Sequence, residues 1–203
     1  MTARDLIRGD PNLWHDATHH AFLDEVRNGT LAPAAFARWL AQDYHFGVAL
    51  TRAEARYLAG APREDLALLA NGVQAMVAEL DWFEHKAAER GIDLDVPLHA
   101  TARAYIDYLH ALTYAPYPAQ LTALWALERA YLEGWQTALP GAPAFREFVE
   151  RWTSEAFSAY VEALESAANR VLAPAGDLAR EAFRWVATYE RAFWQMAYTG
   201  KDG

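Results

Sequence analysis

A chain of 203 residues with 27 acidic against 18 basic side chains carries a formal net charge of −9, and a field of that sign repels phosphate backbones. Its basic residues are scattered singly, with neither a Lys/Arg run nor aromatic-basic alternation, so no nucleic-acid partner is expected. The lack of cysteine excludes disulfides, zinc thiolates and a thiol nucleophile; and although 53% of residues are hydrophobic, no apolar run has the length that crosses a bilayer, so no membrane partner is expected either.

The first ten residues hold no apolar core of signal-peptide length, which makes the cytoplasm the expected compartment. Beyond them, Pro11, Pro33, Pro62, Pro97, Pro118, Pro143 and Pro174 each precede a long stretch of helical periodicity, and proline suits a first helical turn. Gly29, Gly60, Gly91 and Gly141 fall where the preceding patterns stop, as residues able to turn left-handed after a helix do. The predicted helices run roughly over 11–27, 33–59, 62–90, 96–114, 117–139, 143–172 and 174–199. No alternating, β-branched window competes, so the expected fold is all-α: one domain over 1–203, a bundle of about seven helices whose short connections make sequential helices antiparallel neighbours.

Three acids break the apolar stripes of their helices. Asp43 has Phe36, Trp39, Leu40, Phe46 and Leu50 at offsets of three, four and seven; Glu128 has Leu121, Leu124, Trp125, Tyr131, Leu132 and Trp135; Glu190 has Phe183, Val186, Ala187, Phe193 and Trp194. Those offsets share one helix face, so each carboxylate points towards an apolar, aromatic interior. Burying an ionised carboxylate costs several kcal/mol unless a partner or a raised pKa compensates. Each acid alone could snorkel to solvent or pair with an arginine. Three on three helices favour a pocket for a polar ligand. Glu79, with Gly72, Ala75, Met76, Trp82 and Phe83 about it, is either a fourth wall residue or the partner of a buried arginine or tyrosine, the latter being preferred. Tyr44, Phe46, Tyr108, Tyr131, Trp135, Trp152 and Phe193 are aromatics near these acids that could stack on a flat ring or simply pack the core.

Rival chemistries find less support. Asp16 with His19, and Asp107 with His110, only approximate the Glu-x-x-His pairs of di-iron bundles, and His15 with His19 has no Glu-rich helix beside it. No metal and no cofactor is therefore expected, with haem ligation by a lone helical histidine the weaker reading. Neither a Gly-x-Ser-x-Gly elbow nor a phosphate-cradling glycine loop is present.

Taken together, Trp14-His15, His20-Ala21-Phe22, Gly29-Thr30-Leu31, Phe36 and Trp39-Leu40-Ala41-Gln42-Asp43-Tyr44 resemble the N-terminal signature of the TenA/thiaminase II family. Glu79-Leu80 with His85 and Gly91-Ile92, then Phe148 to Ser154, then Tyr189-Glu190 to Ala197, are similar to its later helices in order, so the resemblance spans nearly the whole chain. It implies a haem-oxygenase-like fold, commonly a homotetramer, and hydrolysis of pyrimidines in thiamin salvage. The family's best-known branch uses a cysteine on the fifth helix. Here that helix reads Leu121 to Tyr131 without a thiol and resembles the cysteine-lacking TenA-E branch, with its Trp-Ala-x-Glu-x-x-Tyr pattern at Trp125, Ala126, Glu128 and Tyr131. The departure shifts the implied activity from thiaminase to aminopyrimidine or formylaminopyrimidine hydrolysis. The resemblance sets Asp43 against the amino group and ring nitrogen of the pyrimidine and makes Glu190 the acid/base near the scissile bond. It also places Tyr108, Phe46, Trp152 and Phe193 in the pocket wall, Phe46 and Trp152 standing where tyrosine is frequent. Glu128 is expected to activate water or form a transient adduct. A non-catalytic pyrimidine or thiamin binder, and a PqqC-like or di-metal oxidase on the same fold, stand as alternatives.

Overall fold

The structure, a computed structural model, describes residues 1–201 apart from the side chains of residues 173–175. Among the described residues there are nine helices and no strand: α1 (Ala3–Gly9), α2 (Pro11–Thr18), α3 (Ala21–Asn28), α4 (Pro33–Gly60), α5 (Leu66–Arg90), α6 (Ala100–Leu112), α7 (Tyr117–Thr137), α8 (Arg146–Trp152) and α9 (Glu155–Thr199).

The count exceeds the seven expected because local capping interrupts two of the predicted stretches. In 11–27, His20 adopts extended backbone and its Nδ1 accepts from the Phe22 N–H at 3.1 Å, so α3 starts afresh after α2. In 143–172, Ser154 is likewise extended, and its hydroxyl accepts from the Phe157 N–H, separating α8 from α9. The boundary expected at Pro174 falls at Gly176, whose non-helical backbone, with φ 54 and ψ −133, kinks α9 into two helical stretches, while the Pro174 side chain lies outside the described residues. Helix α1 was not foreseen. It is held by a capping box in which the Thr2 side chain accepts from the Asp5 N–H and the Asp5 carboxylate accepts from the Thr2 N–H.

The stretch predicted from residue 96 becomes helical only at Ala100, because Gln42 supplies bonds that a helix would otherwise make. Its Nε2 donates to the Pro97 carbonyl at 3.0 Å and its Oε1 accepts from the His99 N–H at 2.9 Å. That amide sits one residue before Asp43 and ties the 91–99 connection onto α4.

Helix α7 lies in the middle of the bundle. Every residue from Ala119 to Glu128 is buried, so this helix is apolar on all sides rather than along one stripe. It packs most extensively along α9, while α4 runs against α5 and also meets α6 and α9. Five tryptophans, Trp39, Trp125, Trp135, Trp152 and Trp194, are among the largest fully buried side chains. Trp39 meets Trp135 and Trp152 edge-on, with centroids 5.3 Å and 5.7 Å apart, a geometry worth about 0.5–1.5 kcal/mol per pair beyond the area buried. This rigid aromatic wall backs the cavity described next. No helix of the described residues is long and apolar enough to cross a membrane.

Candidate active site

Helices α4, α5, α6, α7 and α9 together enclose a cavity whose wall includes Asp43, Glu79, Tyr105, Glu128, Tyr131 and Glu190, completed by apolar and aromatic residues such as Phe46 and Phe193. The helical offsets that singled out Asp43, Glu128 and Glu190 thus converge on one space. All three are buried, at 8%, 5% and 5% exposure, and among the described residues none of them pairs with a lysine or arginine.

Two tyrosines orient two of the acids. The Tyr131 hydroxyl, one turn beyond Glu128 on α7, donates to Asp43 Oδ2 at 2.6 Å. The Tyr105 hydroxyl on α6 donates to Glu190 Oε1 at 2.8 Å. Each bond fixes one carboxyl oxygen and leaves the other for a ligand. Glu79 proves to have both roles considered for it: its Oε2 lies 3.5 Å from Arg151 Nε, its Oε1 accepts from Trp152 Nε1 at 3.2 Å, and it still lines the cavity. Arg151 is itself fixed against Trp82, its guanidinium carbon 4.4 Å from the ring centroid.

Removal from water dominates the protonation of this cluster. Burial pushes Asp43 up to about 7, against the Tyr131 hydrogen bond and with help from Glu79. Burial raises Glu190 to about 8, again opposed by its tyrosine and reinforced by Asp43. Glu128 is raised well above the ordinary glutamate value, first by burial and then by the charge of Glu54, ahead of Glu79, Glu190 and Asp43. Glu79 is raised by burial in spite of Arg151 and Trp152. Carboxyls crowded in a dry space cannot all ionise, so near neutral pH the cavity presents proton-bearing and ionised carboxyls side by side. A carboxyl that can both donate and accept suits a ligand with a donor and an acceptor side by side, and the aromatic wall suits a flat ring.

The other expected contacts divide. Phe46 and Phe193 line the cavity, with Phe46 4.6 Å from Tyr105 and 5.8 Å from Phe193 between ring centroids. Trp152 stands behind the wall, packed edge-on against Tyr131 at 5.2 Å and donating to Glu79; Trp135 is buried beside it. Tyr44 points elsewhere, its hydroxyl donating to Glu84 at 2.7 Å on the exposed side of α4. Tyr108 packs at a tilt against Tyr189 and Trp185 rather than entering the lining.

Three residues near the acids escaped sequence reasoning: Tyr105, Glu54 and Tyr160. Glu54 is 1% exposed with both oxygens unpartnered. Leu50, Tyr57 and Leu58 stand at its helical offsets, but Thr51 and Gly47 interrupt the pattern and Arg52 and Arg56 flank it, giving the look of a solvated face. For Tyr105 a signal existed, since Leu98, Ala102, Tyr108, Leu109 and Leu112 share its face.

Comparison with known proteins decides the family. The model of the TENA/THI-4/PQQC family matches residues 11–200. The chain belongs to this family. A soybean (Glycine max) relative, described as a probable bifunctional TENA-E protein, is 32% identical over 201 residues, covering 91% of this chain and 88% of its own. A TenA homologue from Pyrococcus furiosus has a similar structure, with a TM-score of 0.92, 32% identity and coverage of 98% of this chain and all of the other. A TenA homologue from P. horikoshii OT3 superposes with a TM-score of 0.91 at 24% identity, over 99% of this chain and all of its own. The fold is therefore the haem-oxygenase-like all-α bundle, and the absence of cysteine agrees with the TenA-E-like branch. At the level of the family, membership makes this TENA/THI-4/PQQC chain an enzyme of thiamin-related hydrolase chemistry.

Proposed function

We propose that the protein hydrolyses thiamin-derived aminopyrimidines, converting 4-amino-5-aminomethyl-2-methylpyrimidine or its formylamino form to hydroxymethylpyrimidine, with carboxylates in place of the cysteine. The observation that carries this reading is the convergence of Asp43, Glu128 and Glu190 on one enclosed, aromatic cavity with two of the three held by tyrosine hydroxyls. Asp43 anchors the amino group and ring nitrogen, using the oxygen that Tyr131 leaves free. Phe46, Tyr131 and Phe193 clasp the ring. Glu190, raised to about 8, keeps its proton at neutral pH and delivers it to the departing amine. Glu128 serves the attacking water, accepting its proton in the minority of molecules in which Glu128 is ionised, since burial and then the charge of Glu54 hold its carboxyl well above the ordinary glutamate value.

In balanced form, the water oxygen bonds to the exocyclic carbon as the carbon–nitrogen bond breaks, one water proton passes to ionised Glu128, and the amine leaves with the proton of Glu190. A single domain over 1–203, a cytoplasmic setting and a homotetrameric assembly complete the proposal, supported by the resemblance to the family. Glu128→Gln and Glu190→Gln variants test the assignment on the aminomethyl pyrimidine: each is expected to lose about 100-fold or more in kcat, and wild-type turnover in both overturns it.

A further inference from the structure

Hydrogen bonding at Asp43 leaves an aminopyrimidine one partner short. The exocyclic amino group carries two N–H donors, and the ring nitrogen beside it is an acceptor. Asp43 Oδ2 is already engaged by the Tyr131 hydroxyl at 2.6 Å, so the remaining oxygen is committed to the edge formed by the ring nitrogen and the nearer N–H. The second N–H points on along the wall, and in a space closed off from water an N–H without an acceptor weakens binding about tenfold. Glu79 stands next along that wall. Gly47 lets α4 and α5 approach closely there: a Cβ placed on it would lie 3.2 Å from Leu80 Cδ2 and 3.4 Å from Met76 Cε. Asp43 is one turn before Gly47, and Glu79 directly precedes Leu80, so the two acids line the cavity from adjoining stretches of facing helices. Trp152 links them from behind. Its ring packs edge-on against Tyr131, the partner of Asp43, with centroids 5.2 Å apart, and its Nε1 donates to Glu79 Oε1 at 3.2 Å.

The other oxygen of Glu79 is the one left over. Oε2 lies 3.5 Å from Arg151 Nε, and that nitrogen makes no hydrogen bond. The contact is therefore Coulombic, opposes protonation of Glu79, and leaves the Oε2 lone pairs for a ligand. We infer that Glu79 is the second acceptor for the exocyclic 4-amino group, its Oε2 taking the N–H that Asp43 does not reach, and that it selects 4-amino over 4-oxo pyrimidines. A 4-oxo ring turns an acceptor towards the same carboxylate oxygen, so two acceptors face each other and neither is satisfied. Trp152 and Arg151 are positioning residues, since they hold the carboxylate from behind the wall. The inference rests on the aminopyrimidine reading above and adds the residue that decides which ring is accepted.

Calorimetric titration with hydroxymethylpyrimidine, which keeps the 4-amino group, and with its 4-oxo counterpart tests this on wild type and Glu79→Gln. In the variant, Trp152 Nε1 holds the amide oxygen and turns the amide nitrogen to the Oε2 position. Wild type should bind the 4-amino ring about 100-fold more tightly than the 4-oxo ring. Glu79→Gln should bind the 4-amino ring about tenfold more weakly and the 4-oxo ring about tenfold more tightly, because a donor now stands where an acceptor stood. Parallel weakening of both ligands, which a merely structural role produces, or an unchanged ratio overturns the proposal. A crystal structure of the wild-type protein with hydroxymethylpyrimidine does not depend on the variant folding: the 4-amino nitrogen should lie about 3 Å from both Asp43 and Glu79, and a nitrogen more than about 4 Å from Glu79 overturns the proposal. Turnover of the aminomethyl pyrimidine is assayed alongside. The predicted pattern of Kd values without turnover would sink the hydrolase reading alone, and wild-type protein that binds neither ring would sink both.

Discussion

Glu190 should be a source of instability as well as chemistry, and Glu190→Gln separates the two. In the unfolded chain its carboxyl titrates near the ordinary value of 4.5, whereas in the folded protein burial holds it at about 8. Between those values the native state keeps a proton that the unfolded state has released. The contribution of Glu190 to stability is therefore fully present below about 4.5 and is lost progressively as pH rises through the folded value. At about 1.4 kcal/mol for each pH unit in that window, the loss is about 2 kcal/mol at pH 6 and about 5 kcal/mol at pH 9. Glutamine cannot titrate, and its Oε1 can still accept from the Tyr105 hydroxyl that now bonds Glu190 at 2.8 Å. Urea unfolding followed by tryptophan fluorescence at both pH values measures the effect. Wild type should lose about 3 kcal/mol more than Glu190→Gln between pH 6 and pH 9. A difference below about 1 kcal/mol would mean that Glu190 ionises as it does in water, and the argument for a dry carboxyl cluster would fail.

Two further substitutions probe the tyrosines. Tyr105→Phe removes the hydrogen bond that holds the Glu190 value down, so that value should rise and the alkaline limb of the kcat/KM profile should move to higher pH; a shift to lower pH, or none, contradicts the role of Glu190 as proton donor. Tyr131→Phe frees Asp43 from the 2.6 Å bond that orients it, and KM for the aminopyrimidine should rise about tenfold with a smaller change in kcat. Equal losses in both parameters would place Asp43 in the chemical step rather than in binding.

The elements that were legible in the sequence are those governed by long periodicity. The stripes around Asp43, Glu128 and Glu190 identify three helices and the faces they turn inward, and α4, α5 and α7 fall close to their predicted spans. Short-range capping was harder to see. His20 capping α3 through its ring nitrogen, and Gln42 engaging the 91–99 connection, are side-chain choices that periodicity does not encode. In the site, an acid embedded in an unbroken apolar stripe was visible, whereas Glu54 was masked by its arginine neighbours even though it is the more deeply buried. Tyr44 shows the converse: adjacency to Asp43 in the chain puts it about 100° round the helix, and its hydroxyl reaches Glu84 instead of the cavity.

Incubation of the purified protein with 4-amino-5-aminomethyl-2-methylpyrimidine, with the formylamino compound and thiamin alongside, tests the central claim most directly. Ammonia is measured for the aminomethyl compound, and hydroxymethylpyrimidine is followed by chromatography throughout. The account predicts turnover of at least one of the two aminopyrimidines to hydroxymethylpyrimidine and none of thiamin. Tight binding of a pyrimidine without turnover of any of the three would contradict it and leave the carboxylates as hydrogen-bonding groups of a binding protein.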